Sequence, residues 1–256
     1  MFSVIICSID AAHFSAAEAM YGKIFHGIEW ELIHIDDARS LAEGFWRGIS
    51  RSRGELIILS HDDITIFSPD MPRRLQAHLS ICDLVGVAGT TRLIHPAWVF
   101  AGPPFVFGQI VHPAGKGWMG IDIYGAPFPL VRNIQALDGM FIAGRREVFE
   151  RIGFDLQTFD GFHLYDIDFS YRAFLAGMRL GVANDICIFH ASIGKFDEAW
   201  LKYANRFGEK FFGGQTRHNT RRARCAYVEV ETFAQALEVM TPPYWRQQSE
   251  STSDNY

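Results

Sequence analysis

The first ninety residues switch repeatedly between two hydrophobic periods, and that switching admits few folds. Phe2–Ile6 is a continuous apolar run, and Ser15–Phe25 then carries Ala16, Ala19, Met20 and Ile24 at helical spacing, with Ser15 and Glu18 in a capping-box pattern. Glu29–Ile35 alternates and ends at Asp36 and Asp37; Ala38–Arg53 returns to the helical period through Leu41, Phe45 and Ile49. Glu55–Ser60 contains Leu56–Leu59, the unbroken run of a strand covered on both faces, and His61, Asp62 and Asp63 follow directly. The spacing predicts a helix over Pro69–Ser80 and a strand over Leu84–Ala88. Strand–helix–strand alternation with short connections implies an α/β fold, a Rossmann-like and mostly parallel central sheet flanked by helices. Such sheets bind ligands beyond the C-terminal ends of their strands. The polar clusters Ser8–Asp10, Asp36–Asp37 and His61–Asp63 all stand at predicted strand ends.

From His95 to Asn133 the pattern breaks. Pro96, Pro103, Pro104, Pro113, Pro127 and Pro129 punctuate the stretch, among several glycines and the aromatics Trp98, Phe100, Phe105, Phe107, Trp118, Tyr124 and Phe128. Disordered segments are poor in aromatics, so the stretch reads either as an ordered binding loop or as a twisted edge hairpin packed on the core. Order returns over Ile134–Ala143, with helices predicted at Arg145–Ile152, Asp166–Ala176 (Gly177 as C-cap) and Asp197–Phe212. Phe154–Tyr165 reads as a loop, and Arg179–Val182 and Asp185–Phe189 as short strands leading to His190. Residues 241–256 are polar and read as a flexible tail.

The excluded classes narrow the chemistry. With 24 Lys+Arg against 29 Asp+Glu the net charge is −5, which gives no general basic surface for nucleic acid. Cys7, Cys82, Cys187 and Cys225 lie far apart with no CxxC pair, which argues against a zinc knuckle or a disulfide scaffold and suits buried thiols in a reducing compartment. The N-terminus reads as a first strand, and no apolar stretch approaches bilayer length, so a cytoplasmic protein with no transmembrane segment is expected. There is no GxGxxG after a strand, no Walker loop, no HExxH and no GxSxG.

Three constellations remain. His61, Asp62 and Asp63 after a buried strand suit a hard divalent cation, or a turn or helix cap; His190, at a later strand end, could complete a metal site with Asp63. Asp166 and Asp168 fall in the first turn of a helix, where carboxylates suit the dipole, and Arg172 lies four residues beyond Asp168. One of the two could instead serve as a general base. Arg92, Lys116, Arg132 and Lys195 could neutralise phosphate or simply be solvated, as could the basic run Arg217–Arg224.

Taken in order, "LIILSHDDI" (56–64), "LDGMFIAGRREVFERIGFD" (137–155), "FHLYDIDFSYRAFLAGMRLGV" (162–182) and "IFHASIGKF" (188–196) resemble the family 2 glycosyltransferases of the GT-A fold, nearest to the streptomycin-biosynthesis-type branch. The resemblance implies a catalytic domain over 1–212, with a nucleotide-binding half (1–90), an acceptor and catalytic half (91–212), and a C-terminal extension (213–256). It implies that Cys7, Ser8 and Asp10 line the base pocket, that Asp36 or Asp37 contacts base or ribose, and that Asp62 belongs to the nucleotide site. Asp63, with His61 and His190, would hold Mn²⁺ or Mg²⁺ against the diphosphate. Asp166 matches the base aspartate; Tyr165 replaces the preceding glutamate of the family, which leaves the base as Asp166 or Asp168. Trp118, Asp138, Gly139 and Arg172 would belong to the donor and acceptor loops, and Trp46 stands where many relatives have Asn. The implied activity is inverting, metal-dependent transfer from a nucleotide sugar, of UDP or dTDP type, to a saccharide or other hydroxyl acceptor. Trp118 and its aromatic neighbours would then affect sugar affinity more than fold stability. A catalytically silent nucleotide-sugar-binding or scaffolding protein of the same fold, or a nucleotidyltransferase, are the alternatives.

Overall fold

Strand β1 (Phe2–Cys7) divides its side chains between two layers: Phe2, Val4 and Ile6 enter one core cluster, and Ile5 the other. The same split recurs in β3 (Leu56–Ser60), where Ile57 and Leu59 face one way and Ile58 the other. A strand with apolar residues on both faces must lie between two layers, as the unbroken LIIL run predicts. The computed structural model describes residues 1–68, 70–192, 194, 196–214, 225–243 and 245.

The first sheet contains β1, β2 (Trp30–Ile35), β3, β5 (Leu84–Gly86), β9 (Leu130–Arg132), β11 (Phe141–Arg145) and β12 (Leu180–Ala183), in the order β2-β1-β3-β11-β5-β12-β9. Five of these strands share one direction, and β11 and β9 oppose them. Helices α1 (Ala11–Ile24) and α3 (Met71–Leu79) cover one face. The other carries α2 (Leu41–Arg51), α4 (Arg146–Ile152), α5 (Tyr165–Leu175) and α6 (Glu198–Phe212). Helix α2 starts where Ser40 Oγ accepts from the Glu43 amide, and its Gly44 and Gly48 let it approach β1 so closely that a methyl at either would collide with Cys7 or Ile5. Helix α1 begins earlier than its sequence pattern suggests. Asp10, not Ser15, is its N-cap, because the Asp10 carboxylate accepts from both the Ala12 and His13 amides.

The second sheet holds β4 (Ile64–Ile66), β6 (Ala88–Thr90), β7 (Val106–Gly115), β8 (Trp118–Gly125), β10 (Ala136–Leu137), β13 (Ile188–His190) and β14 (Ala226–Val230). The expected strand Leu84–Ala88 is split between the sheets, β5 in the first and β6 in the second, with Val87 at the crossing. Both halves are buried, so hydrophobicity runs through the crossing without a mark. Residues 95–133 are not a long loop. After a 3-10 turn at Trp98–Ala101 they form the β7–β8 hairpin, and β14 pairs with β8, so the hairpin is not the sheet edge. Lys116 (φ 53) and Gly117 (φ 83) make its turn; positive φ at both central positions matches the twist of hairpin strands. Helix α7 (Phe233–Met240) opens on a full capping box at Thr232 and Gln235 and closes a third cluster with Val111, Ile121 and Cys187. Of the stretch expected to be a flexible tail, 241–243 and Trp245 are described, and Trp245 is buried.

Candidate active site

The chain folds back directly after β3, and that reversal assembles the site. The His61 amide donates to Met140 O at 3.0 Å, anchoring the turn to the start of β11. Strand β4 then pairs antiparallel with β13, His190 opposite Ile64, and the Ala191 amide donates to Asp63 O at 3.0 Å. This register places His190 Nε2 3.2 Å from Asp63 Oδ1, with His61 Nδ1 3.9 Å from the same oxygen. One ligand atom from each of His61, Asp63 and His190 lies within 4.8 Å of the others. Two imidazole nitrogens and a carboxylate oxygen fit a divalent transition ion that tolerates mixed ligands. Burial raises the Asp63 pKa, but the His190 hydrogen bond and charge, with the Ser192 hydrogen bond and the His61 charge, together outweigh it and hold the group below the usual carboxylate range. Burial and the neighbouring His190 charge lower the His61 pKa, whereas in His190 the Asp63 hydrogen bond and charge, with the Asp138 charge, together overcome burial and the pKa rises.

Helix α5 supplies the facing carboxylate. Its N-cap, Leu164, lies in the left-handed region (φ 63), and Asp166 in the first turn accepts from the Gly139 amide at 2.7 Å. A Cβ at Gly139 would stand 2.6 Å from Tyr165 Oη and 2.7 Å from Asp166 Cβ, so the approach requires glycine. The Tyr165 hydroxyl donates to Gly139 O at 3.3 Å and lies 3.2 Å from His61 Nε2. Tyr165 thus bridges the histidine and the Gly139 turn. Asp138 accepts from Trp98 Nε1 at 2.9 Å and from the Met140 amide at 3.1 Å. Burial, and next the Asp138 charge, push the Asp166 pKa up to about 7.

Two cavities meet at His61. The smaller, about 200 Å³, is lined by Cys7, Leu41, Phe45, Ser60, Asp62 and Asp63. The larger, about 850 Å³, holds Asp138, Gly139, Asp166 and His190 on its polar side and Trp98, Phe100, Tyr124, Phe196 and Trp200 among its aromatic lining. His61 borders both.

Not every sequence candidate reaches these cavities. Ser8 lines neither cavity but donates to Asp62 Oδ2, which borders the smaller one beside Cys7, whose thiol is pushed up to about 12 by burial. Asp10 instead caps α1. Asp37 is held by Arg47 at 2.7 Å, while Asp36 is exposed at the end of β2. Trp46 is partly buried against the core. Asp168 is 1% exposed, paired with Arg172 at 2.8 Å and Lys210 at 2.6 Å, and lines neither cavity. Arg172 also donates to Ile152 O and Gly153 O, where it closes the end of α4. Trp118 stands at the hairpin tip, 41% exposed, and does not line the larger cavity. Arg92 lies over the Phe105 ring. Lys195 and Arg217–Arg224 lie outside the described residues. Trp98 stands in the aromatic stretch that reads as a binding loop or an edge hairpin, but no motif marks Phe196 or Trp200 for the site. Their only local signal is an aromatic residue in an irregular stretch or on a helix.

A family model described as "Glycosyltransferase like family" matches residues 3–213. No curated protein matches the chain. Among solved structures, mannosyltransferase PcManGT from Pyrobaculum calidifontis, in complex with GDP-Man and Mn²⁺, is similar with a TM-score of 0.52 and 13% identity, over 84% of this chain and 65% of its own. GalNAc-T7 with UDP, GalNAc and Mn²⁺ gives 0.53 and 13%, over 82% of this chain and 47% of its own. The chain spans less than two thirds of either structure's length. Among the described residues no helix is long and apolar enough to cross a membrane.

Proposed function

The chain belongs to the glycosyltransferase-like family and has the GT-A fold, and from that premise we propose that it transfers a sugar from a nucleotide-sugar donor to an acceptor hydroxyl, inverting the anomeric carbon. The observation that carries this reading is the meeting of the two cavities at His61, with His61, Asp63 and His190 grouped at the junction and Asp166 lining the larger cavity. The smaller cavity takes the nucleotide: Cys7 and Asp62 border the base, Ser8 backs them through its hydrogen bond to Asp62, and Asp36 or Asp37 contacts base or ribose. The division into a nucleotide half (1–90) and an acceptor half (91–212) belongs to the same reading.

His61, Asp63 and His190 would hold a divalent cation, Mn²⁺ in preference to Mg²⁺ because two of the three ligands are imidazoles. Bound there, the ion supplies Lewis-acid neutralisation of the diphosphate charge. The chain's own groups do the rest. Asp166 takes the proton of the acceptor hydroxyl as its oxygen bonds to the anomeric carbon. The bond from that carbon to the diphosphate oxygen breaks on the opposite face, and the electron pair leaves with the nucleoside diphosphate. The Gly139 amide holds the base in place, and Tyr165 ties that turn to His61. The two similar structures carry different nucleotides, GDP in one and UDP in the other, so a UDP- or dTDP-type donor is proposed on the family resemblance alone.

A thermal-shift screen of nucleoside diphosphates and nucleotide sugars, with and without Mn²⁺, tests the reading. At about a hundredfold excess over Kd, a ligand of the native state adds roughly 2.7 kcal/mol of stability. Stabilisation should need Mn²⁺ and vanish in Asp63→Ala. If no nucleotide shifts the transition under either condition, the reading fails.

A further inference from the structure

The larger cavity has walls of unlike chemistry, and they constrain the acceptor. Its polar groups gather beside Asp166 and His61. Elsewhere, His112 and Asp122 pair at 3.3 Å, and the Cys225 thiol donates to Asp122 Oδ1 at 3.3 Å, so these groups are engaged with one another. Another wall is aromatic. Phe196 and Trp200 pack with centroids 4.7 Å apart, Phe100 and Phe196 at 5.7 Å, and Trp98 and Tyr124 at 5.1 Å. Of the polar atoms beside this wall, Asp197 Oδ1 accepts from the Trp200 amide and Trp98 Nε1 donates to Asp138. Phe162 and Phe196, which also line the cavity, are 55% and 54% exposed. The lining includes four carboxylates, Asp122, Asp138, Asp166 and Asp197, and among the described residues no lysine or arginine.

A saccharide acceptor brings a hydroxyl on almost every carbon, and each one buried without a partner costs about 1–3 kcal/mol. Along this wall Phe100 and Phe196 offer ring faces and no side-chain hydrogen-bonding group, and Trp200 offers only its indole N–H. A flat apolar ring system gains stacking energy on the same surface and needs one hydrogen-bonding group, the hydroxyl that reacts. An anionic acceptor meets four carboxylates. At about 850 Å³ the cavity has room for more than a transferred sugar.

We propose that the acceptor is an uncharged aromatic or fused-ring compound, its ring on the Phe100–Phe196–Trp200 wall and its hydroxyl at Asp166. The inference rests on the transfer reading above and narrows it to an aglycone acceptor. The hydroxyl proton passes to the Asp166 carboxylate, the new bond joins its oxygen to the anomeric carbon, and the nucleoside diphosphate departs with the electron pair.

Calorimetric titration of the full chain, in UDP and Mn²⁺ and again without them, compares 2-naphthol with methyl β-glucoside. The naphthol should bind at least about tenfold more tightly, and Phe196→Ser and Trp200→Ala should each remove most of that preference. Phe196 is exposed enough that its replacement should leave the unfolding temperature unchanged, which separates lost binding from lost folding. Equal affinities, or a preference that survives both substitutions, would overturn the proposal. Nucleotide binding with no aromatic preference sinks this inference alone. A preference without nucleotide binding sinks the transfer reading and leaves the ligand class standing.

Discussion

As the proposed base, Asp166 stands between two demands: a base must be ionised to act, yet burial and the Asp138 charge favour its neutral form. With the native pKa raised to about 7 from its ordinary value of 3.8, the folded protein keeps a proton that the unfolded chain releases. Between those values the native state binds more protons, so this group's contribution is fully present below the lower one and is lost as pH rises through the upper one. In metal-free protein, Asp166→Asn should therefore gain stability on the parent between about pH 5 and pH 8, by on the order of 2 kcal/mol, in urea titrations at each pH. A constant difference across that range would show that Asp166 is not held neutral. Asp138→Asn should move the acidic limb of activity to lower pH, since it removes the charge that opposes ionisation. At the same position, Asp166→Asn should keep Mn²⁺-dependent nucleotide binding while turnover falls by about 10²–10⁴.

At the scale of one helix, α5 sets Asp166 and Asp168 in different surroundings. Two residues along a helix turn the side chain by about 200°, so the two carboxylates point to opposite sides. Asp166 meets the cavity; Asp168 is sunk between Arg172 and Lys210, where it ties α5 to α6, and through Arg172 to the end of α4. Asp168→Ala leaves two cations without their buried partner, and should cost about 3 kcal/mol in chemical denaturation. Turnover per folded molecule should hold; a loss of turnover at unchanged stability would return Asp168 to the chemistry. Elements such as α5, α2 and β3 were legible because a long run of one period leaves its mark on every residue. The β7–β8 hairpin was obscured by proline, glycine and aromatics, although Lys116-Gly117 was the turn signal to weigh. Strands β4, β6, β10 and β13 are two or three residues long and carry no period, so only tertiary pairing defines them. The site divides in the same way. His61 and Asp63 could be read as strand-end polar residues, whereas the Trp98–Asp138 bond joins residues forty apart with no local pattern to announce it.

Across the whole molecule, the family match stops at residue 213 but the packed structure continues. Strand β14 covers β8 over five residue pairs, and α7 seats Ala236 and Met240, both fully buried, against Val111, Ile121 and Cys187 of the second sheet. Gln109, inside β7, donates to Met240 O at 2.9 Å and to Asn184 O at 3.2 Å, so one buried amide joins the hairpin, the extension and the loop after β12. Cys225, at the foot of β14, lines the larger cavity beside Asp122, so the extension also finishes a cavity wall. A chain cut after residue 213 would bare the edge of β8 and leave the Gln109 side chain short of an acceptor in an apolar setting. Each buried apolar side chain returned to water forfeits roughly 1.5–3 kcal/mol, and a free strand edge invites pairing between molecules. Residues 1–213 alone should therefore unfold about 10 °C or more below the full chain and aggregate at concentrations where the full chain stays monodisperse, by calorimetry and light scattering. If the shortened chain matches the parent in both measurements, the extension is an appendage and the second sheet stands without it.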